Sequence, residues 1–296
     1  MNTLTARALL AGLCIAATSA LAEPLPQRWV SAGGSLSEWG VALGGEAKLV
    51  GVDTTSLHPA SLQALPKIGY QRQLTAEGIL ELKPDILLGS EEMGPPPVLQ
   101  QLRAAGVRIE TLSAKADENT LRDTLQRLGE LLGAPDRARQ MATDFDARLV
   151  AHSAWVKKAQ SAQTEPGVVL LVGHAGGNLL AAGQDTSGDW LIQHAGGRNL
   201  ATHSGYRALS TEALAALNPQ VLVLSDRALD GDQARAALTR QNPGLASTRA
   251  LRDGRVLVLD PTLLVGGLGP RIPDGLASLS RAFYPSAQAL NTESRP

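Results

Sequence analysis

The chain has 296 residues, which exceeds the usual size of a single domain, so we expect two similar lobes with room for a large core. Its formal net charge is −1, with lysine and arginine scattered along the chain. This balance gives no electrostatic surface for nucleic acid and excludes that class of partner.

The N-terminus predicts export from the cytoplasm. Arg7 precedes an apolar run at residues 8–17, and the small-residue end Ala20-Leu21-Ala22 follows. This order is typical of a signal peptide, so residues 1–22 are predicted to be cleaved off after Ala22. The run is too short for a strong membrane anchor, and no later segment could span a bilayer. We therefore expect a periplasmic protein that is not embedded in the membrane.

The cysteine content agrees with the predicted periplasmic location. Cys14 is the only cysteine and lies inside the predicted signal peptide, so the mature protein is expected to have no disulfide bond. Its stability then depends on the core and on a ligand. Lipid attachment at Cys14 is the alternative, although Leu13 is bulkier than the small residue that this modification needs.

Short strands and helices alternate from the start of the mature chain. Residues 28–30 and 48–52 are predicted as strands, with a helix between them at 35–43, and residues 167–172 open a second unit in the same way. Such alternation predicts an α/β fold with mostly parallel sheets that are flanked by helices.

An internal repeat relates the two units. Residues 74–88 reappear as residues 209–223 at a constant offset. In each copy, Thr or Ser precedes Glu and apolar residues at helical spacing, and Pro then ends the helix before an apolar run. Each copy is therefore predicted as a capped short helix followed by a buried strand. A Gly-Tyr pair precedes each copy, at residues 69–70 and 205–206.

A helical segment is predicted between the copies. Residues 117–163 carry apolar residues at helical spacing, with Gly133 and Pro135 as breakers. The part after Pro135 would be roughly 40 Å long at about 1.5 Å per residue, which is enough to reach from one lobe to the other. We predict an N-terminal lobe at 23–133, a linking helix at 134–163 and a C-terminal lobe at 164–296.

These features resemble the class III periplasmic substrate-binding proteins, in which a backbone helix joins two lobes and which serve transporters for haem, cobalamin and ferric siderophores. The two Glu-x-[Ile/Leu]-x-x-Leu-x-Pro segments are the most specific marks. The resemblance implies a monomer that docks onto an inner-membrane ABC permease, with its ATPase, through Glu77 and Glu212. The alternative is that both are solvated glutamates that the helix dipole favours.

The segment Gly-Tyr-Gln-Arg-Gln-Leu at residues 69–74 resembles the iron-ligand segment of the haem-binding members. Ferric iron favours anionic oxygen, and a tyrosine phenolate is a known haem ligand. A nearby guanidinium favours the phenolate, and Arg72 supplies one. The resemblance therefore implies Tyr70 as the iron ligand and ferric haem b as the transported cargo. The alternative for Tyr70 is a hydrogen bond that stabilises its loop.

The two haem propionates require Arg or Lys. Arg227 ends the strand of the second repeat, where the first repeat has Glu92, and the resemblance implies that it lies near haem. A surface ion pair is the alternative for Arg227, and Arg207 and Arg271 are further candidates. His174 follows the strand at 167–172 and is a candidate for a second iron ligand, a ligand to a second haem, or a hydrogen-bonding loop residue.

Other functions remain open on the sequence alone. The same fold could carry a ferric siderophore or cobalamin. A siderophore already saturates its iron and needs no tyrosine that binds the metal, so Tyr70 argues against that cargo. A zinc or manganese site requires converging ligands, and the five histidines are scattered. A periplasmic hydrolase is opposed by the absence of Gly-x-Ser-x-Gly, His-Glu-x-x-His and a phosphate-binding loop, so we expect no enzyme. A structural envelope protein would lack ligand-linked stabilisation.

Overall fold

The computed structural model describes residues 24–173, 179–225 and 231–287. The strands in these ranges are β1 (Trp29–Ala32), β2 (Leu49–Val52), β3 (Ile86–Ser90), β4 (Arg108–Leu112), β5 (Gly167–Val172), β6 (Leu180–Ala182), β7 (Arg198–Asn199), β8 (Tyr206–Ala208), β9 (Val221–Ser225) and β10 (Val256–Val258). The helices are α1 (Gly34–Ala42), α2 (Ala76–Leu80), α3 (Pro96–Ala104), α4 (Glu118–Leu132), α5 (Pro135–Ala162), α6 (Ser187–His194), α7 (Thr211–Leu217), α8 (Gly231–Gln241), α9 (Arg249–Arg252) and α10 (Ile272–Phe283).

The strands form two sheets. The first is parallel throughout, in the order β2-β1-β3-β4. The second has the order β10-β9-β5-β6-β8, with β10, β9 and β5 parallel and β6 and β8 antiparallel to their neighbours, and β7 pairs with β5. Strands β3 and β9 are buried along their whole length, as continuous apolar runs in parallel sheets require. The predicted α/β fold is confirmed.

The repeat forms the same pair of elements in both sheets. Its first copy forms α2 and then β3, and its second copy forms α7 and then β9. The predicted cap is right for the second copy, because Ser210 Oγ accepts a hydrogen bond from Ala213 N at 3.2 Å. It is wrong for the first copy, since Thr75 occupies the N-cap position of α2 without a side-chain hydrogen bond.

The helical segment predicted at residues 117–163 consists of two helices, α4 and α5. Helix α4 ends where Gly133 adopts the left-handed conformation with φ of 69°, which glycine tolerates at a helix end, and α5 begins at Pro135. Helix α5 has 28 residues. The two helices pack against each other, and Leu125 and Leu128 of α4 are fully buried.

Helix α5 packs against α4 and α10, and one hydrophobic core extends across it. The core runs from Trp29 in β1, through α4 and Phe145 of α5, to Val168 in β5 and Phe283 of α10. We use the names N-terminal lobe for residues 24–133 and C-terminal lobe for residues 164–287. In the ranges given above, the structure has no helix whose length and apolar character would allow it to cross a membrane. The predicted signal peptide lies outside the described residues.

Candidate ligand-binding cleft

Tyr70 lies in the loop between β2 and α2. Gly69 precedes it with φ of 91°, a conformation that favours glycine. The carbonyl oxygen of Gly69 accepts a hydrogen bond from Thr54 N at 2.9 Å. Gln73 N donates to Tyr70 O at 2.7 Å and closes a turn. The Tyr70 side chain is 37% exposed, and its hydroxyl makes no hydrogen bond to any residue that the structure describes. The loop therefore presents a phenol whose oxygen is available to a ligand.

Arg72 is paired with Glu92 in this structure. Arg72 Nη2 donates to Glu92 Oε1 at 2.5 Å, and Gln71 Nε2 donates to the other carboxylate oxygen at 3.2 Å. Glu92 lies in the loop that follows β3, so the ends of two loops of the N-terminal lobe meet here. The guanidinium of Arg72, which was predicted to support Tyr70, is therefore paired with the carboxylate of Glu92.

Tyr206 of β8 occupies the corresponding Gly-Tyr pair of the C-terminal lobe and is 39% exposed. Partial burial raises the pKa of Tyr206, and the negative charge of Glu92 raises it further, while contacts with Gly188 N and the Thr186 hydroxyl and the charge of Arg72 oppose the rise. Because Glu92 and Arg72 belong to the N-terminal lobe, their influence on the pKa of Tyr206 indicates that Tyr206 lies near this part of the N-terminal lobe.

The remaining predicted arginines differ in accessibility. Arg207 is exposed on β8, and side chains alternate along a strand, so it points to the opposite face from Tyr206. Arg271 donates to both oxygens of Glu38 at 2.8 and 2.6 Å and to Asp260 at 2.8 Å. Although burial would lower the pKa of Arg271, these carboxylates raise it overall. The Arg271 guanidinium is therefore occupied by protein groups and not presented to the cleft.

The Glu38 contact is part of a bridge between the lobes. Helix α1 of the N-terminal lobe meets residues 260–271 of the C-terminal lobe: Ser35 Oγ donates to Val265 O at 2.9 Å, and Trp39 Nε1 donates to Leu268 O at 2.7 Å. His58 Nε2 lies 3.0 Å from Asp260 Oδ2 in the same bridge. These contacts join the two lobes.

Glu77 and Glu212 are both exposed in the first turns of their helices, α2 and α7. The backbone N–H of Glu212 and the Ser210 hydroxyl lower the pKa of the Glu212 carboxyl.

His174 and Arg227 lie outside the described residues. Within the described ranges, no group of three or more His, Cys, Asp or Glu side chains is placed to hold a metal ion. Of the other histidines, His152 is buried beside Ser280, and burial lowers its pKa.

The sequence indicated two further residues, Tyr206 and Glu92, only indirectly. Tyr206 repeats the Gly-Tyr pair of Tyr70, and Glu92 stands at the repeat position of Arg227 with the opposite charge. What the sequence did not reveal is that Glu92 binds Arg72, because that contact depends on how the two loops meet.

A family model described as periplasmic binding protein matches residues 30–263. The chain belongs to the periplasmic binding protein family. Solved structures extend this similarity. This periplasmic binding protein is 66% identical to a periplasmic heme binding protein from Pseudomonas aeruginosa, with a TM-score of 0.89 and coverage of 90% of this chain and 96% of the other.

Two further relatives show the range of the family. The periplasmic heme-binding protein BhuT, solved in complex with two hemes, is 36% identical, with a TM-score of 0.78 and coverage of 88% of this chain and 99% of the other. A vitamin B12-binding protein of Pectobacterium atrosepticum is 26% identical over 72% of this chain and 74% of its own length. The predicted resemblance to periplasmic substrate-binding proteins is confirmed.

Proposed function

We propose that this protein captures ferric haem in the cleft between its lobes, in the periplasm, and delivers it to an ABC permease of the inner membrane. The observation that carries the proposal is Tyr70: its phenol is exposed on the loop that also carries Arg72, and no described residue is hydrogen-bonded to its hydroxyl. The 66% identical structure, a periplasmic heme binding protein, supports the same cargo.

Each cleft residue has a distinct role in this proposal. The Tyr70 oxygen binds the iron as a phenolate, which ferric iron favours as an anionic oxygen ligand. Arg72 contributes positive charge beside that oxygen, and Tyr206 flanks the cargo from the C-terminal lobe. Arg227 is proposed to pair with a propionate and His174 to be a second ligand or to bind a second haem. Binding and release change no covalent bond of haem, so no catalytic group is required.

Cobalamin is the second candidate cargo, because the vitamin B12-binding protein of Pectobacterium atrosepticum is a relative. The two cargoes place different demands on Tyr70, since only haem iron is proposed to bind its oxygen. Thermal unfolding with added haemin or cyanocobalamin separates them, because a ligand that binds the folded state raises the unfolding temperature. We expect haemin alone to do so. A rise with cyanocobalamin alone would replace haem as the cargo.

Glu77 and Glu212 are proposed to dock the loaded protein on basic residues of the permease. We expect Glu77→Lys and Glu212→Lys to leave haemin affinity unchanged and to abolish stimulation of the permease ATPase in liposomes, because reversed charges repel a basic partner. Glu81→Lys, which changes an exposed glutamate at the end of α2, is the matched control. Full stimulation by both variants would contradict docking through these two carboxylates.

A further inference from the structure

Glu92 connects Tyr70's loop with the loop after β3. Both of its carboxylate oxygens are engaged, one by Arg72 Nη2 at 2.5 Å and one by Gln71 Nε2 at 3.2 Å. Gln71 is only 1% exposed, and its amide oxygen has no hydrogen-bond partner among the described residues, so burial alone keeps the amide in place. Glu92 N also donates to Ser90 Oγ at 3.2 Å. The carboxylate is therefore fixed on one side by a buried amide and binds the arginine on the other.

The backbone keeps this arrangement in place. Gly94 N donates to Gln71 O at 2.9 Å, and Leu74 N donates to Gly94 O at 2.8 Å, so the two loops are joined by main-chain hydrogen bonds on both sides of Arg72. The side chains of Arg72 and Glu92 remain 55% and 33% exposed. The pair is thus supported by main-chain hydrogen bonds while both side chains stay accessible, and its charges act on Tyr206 in the opposite lobe.

We propose that Glu92 is a positioning residue that competes with the bound cargo for the Arg72 guanidinium. This inference rests on the proposed function. An iron-bound phenolate and two propionates are anionic acceptors, and the five N–H donors of an arginine suit each of them. While Glu92 holds Arg72, part of that guanidinium is withheld from the cargo. Glu92 thereby limits how tightly haem is held and favours its release to the permease.

The substitution Glu92→Gln tests this role, because it keeps the size of the side chain and one acceptor oxygen and removes the negative charge. We expect haemin to bind about threefold to fivefold more tightly, the upper part of the range of an exposed ion pair, and to leave more slowly for excess apomyoglobin. Glu91→Gln is the control. Glu91 accepts a hydrogen bond from Ala114 N at 2.9 Å, away from Arg72, and its substitution should leave haemin affinity unchanged.

A double-mutant cycle shows whether Glu92 acts through Arg72. Arg72→Gln is expected to weaken haemin binding, and in that background Glu92→Gln should change affinity by less than about twofold, because the two residues share one interaction. The tyrosinate-to-iron absorption band of Glu92→Gln should differ in position from that of the natural protein. The band of the double variant should match that of Arg72→Gln. The inference is overturned if Glu92→Gln binds haemin as the natural protein does or more weakly, or if it gains equally in the Arg72→Gln background.

The same measurements separate this inference from the proposed function. If the natural protein binds no haemin saturably, or if Tyr70→Phe keeps the absorption band, the proposed function fails. If the natural protein binds haemin and Tyr70→Phe loses the band, while Glu92→Gln and Glu91→Gln both match the natural protein, only the role of Glu92 fails.

Discussion

Individual polar residues at the ends of strands determine the shape of the cleft loops. Asp53 follows β2 and is fully buried, and its carboxylate accepts four hydrogen bonds: from Gly33 N at 3.1 Å, Thr55 N at 3.1 Å, Thr55 Oγ1 at 2.7 Å and Ser56 Oγ at 2.7 Å. It joins the loop after β2 to the start of α1. The same residue-scale logic applies to Glu92, which joins the loops on either side of Arg72.

Replacing Asp53 by Asn tests this structural role. The amide offers one acceptor oxygen in place of two, so at least one of the backbone N–H groups of Gly33 and Thr55 must face an NH₂ group. We expect Asp53→Asn to lower the free energy of unfolding by about 1–3 kcal/mol, as an unsatisfied buried donor does. Denaturant unfolding measures this loss. Asp123→Asn, at an exposed position of α4, is the control, and an equal effect of the two variants would contradict the account.

At the scale of elements, both copies of the repeat form a short helix followed by a strand, but a side chain caps the N-terminus of the helix in only one copy. In α7 the Ser210 hydroxyl satisfies Ala213 N, whereas in α2 Thr75 leaves the equivalent backbone group without a side-chain cap. The hydrophobic spacing is therefore sufficient to form each short helix, and the cap contributes only where it is made.

This difference predicts unequal effects of two similar substitutions. Ser210→Ala should lower the free energy of unfolding by about 1 kcal/mol, because it removes an N-cap hydrogen bond. Thr75→Ala removes no such bond and should change stability by no more than about 0.5 kcal/mol. Thermal and denaturant unfolding of both variants provide the comparison. An equal loss in the two would mean that the repeat copies are capped alike.

The sequence predicted elements better than it predicted contacts between them. Alternating apolar runs and the repeat located α2, β3, α7 and β9, because these patterns are local and set by burial. The break between α4 and α5 was marked by Gly133 and Pro135. Arg271 was a candidate for the cleft on its position after a glycine-rich stretch, yet it binds Glu38. That pairing joins positions far apart in the chain, so only the packing of the two lobes reveals it.

At the scale of the whole molecule, the lobes are joined by the core around α5 and by the bridge at α1. Glu38 is 5% exposed and depends on Arg271 for its counter-charge. Glu118 of α4 and His194 of α6 make a second polar contact between the lobes at 3.5 Å. A molecule whose lobes are connected at several places is expected to keep a limited range of lobe orientations.

Removing Arg271 should therefore destabilise the protein as a whole. Arg271→Gln leaves the Glu38 carboxylate buried without a cation, and we expect a loss of about 2–4 kcal/mol in the free energy of unfolding. Arg139→Gln, which removes an exposed partner of Asp136 on α5, should cost no more than about 1 kcal/mol. Denaturant unfolding distinguishes the two. A loss for Arg271→Gln as small as that of Arg139→Gln would contradict a stabilising bridge.

The bridge also predicts a dependence of stability on pH. Burial would raise the pKa of Asp260, but hydrogen bonds from Thr262 and from Arg271 outweigh it and lower the pKa below its ordinary value of 3.8. A carboxyl whose pKa is lowered by folding contributes stability above its unfolded pKa, and this contribution is lost as the pH falls through the folded pKa. Between about pH 6 and about pH 3, Asp260→Asn should lose less stability than the natural protein. Parallel losses would contradict the role of Asp260.

Binding of the cargo by Tyr70 is the central claim, and a haemin titration of the natural protein and of Tyr70→Phe tests it most directly. The variant keeps the ring and removes only the oxygen that is proposed to bind iron. We predict saturable binding by the natural protein with a tyrosinate-to-iron absorption band, and loss of that band in Tyr70→Phe. A band of unchanged position and strength in Tyr70→Phe would contradict the account.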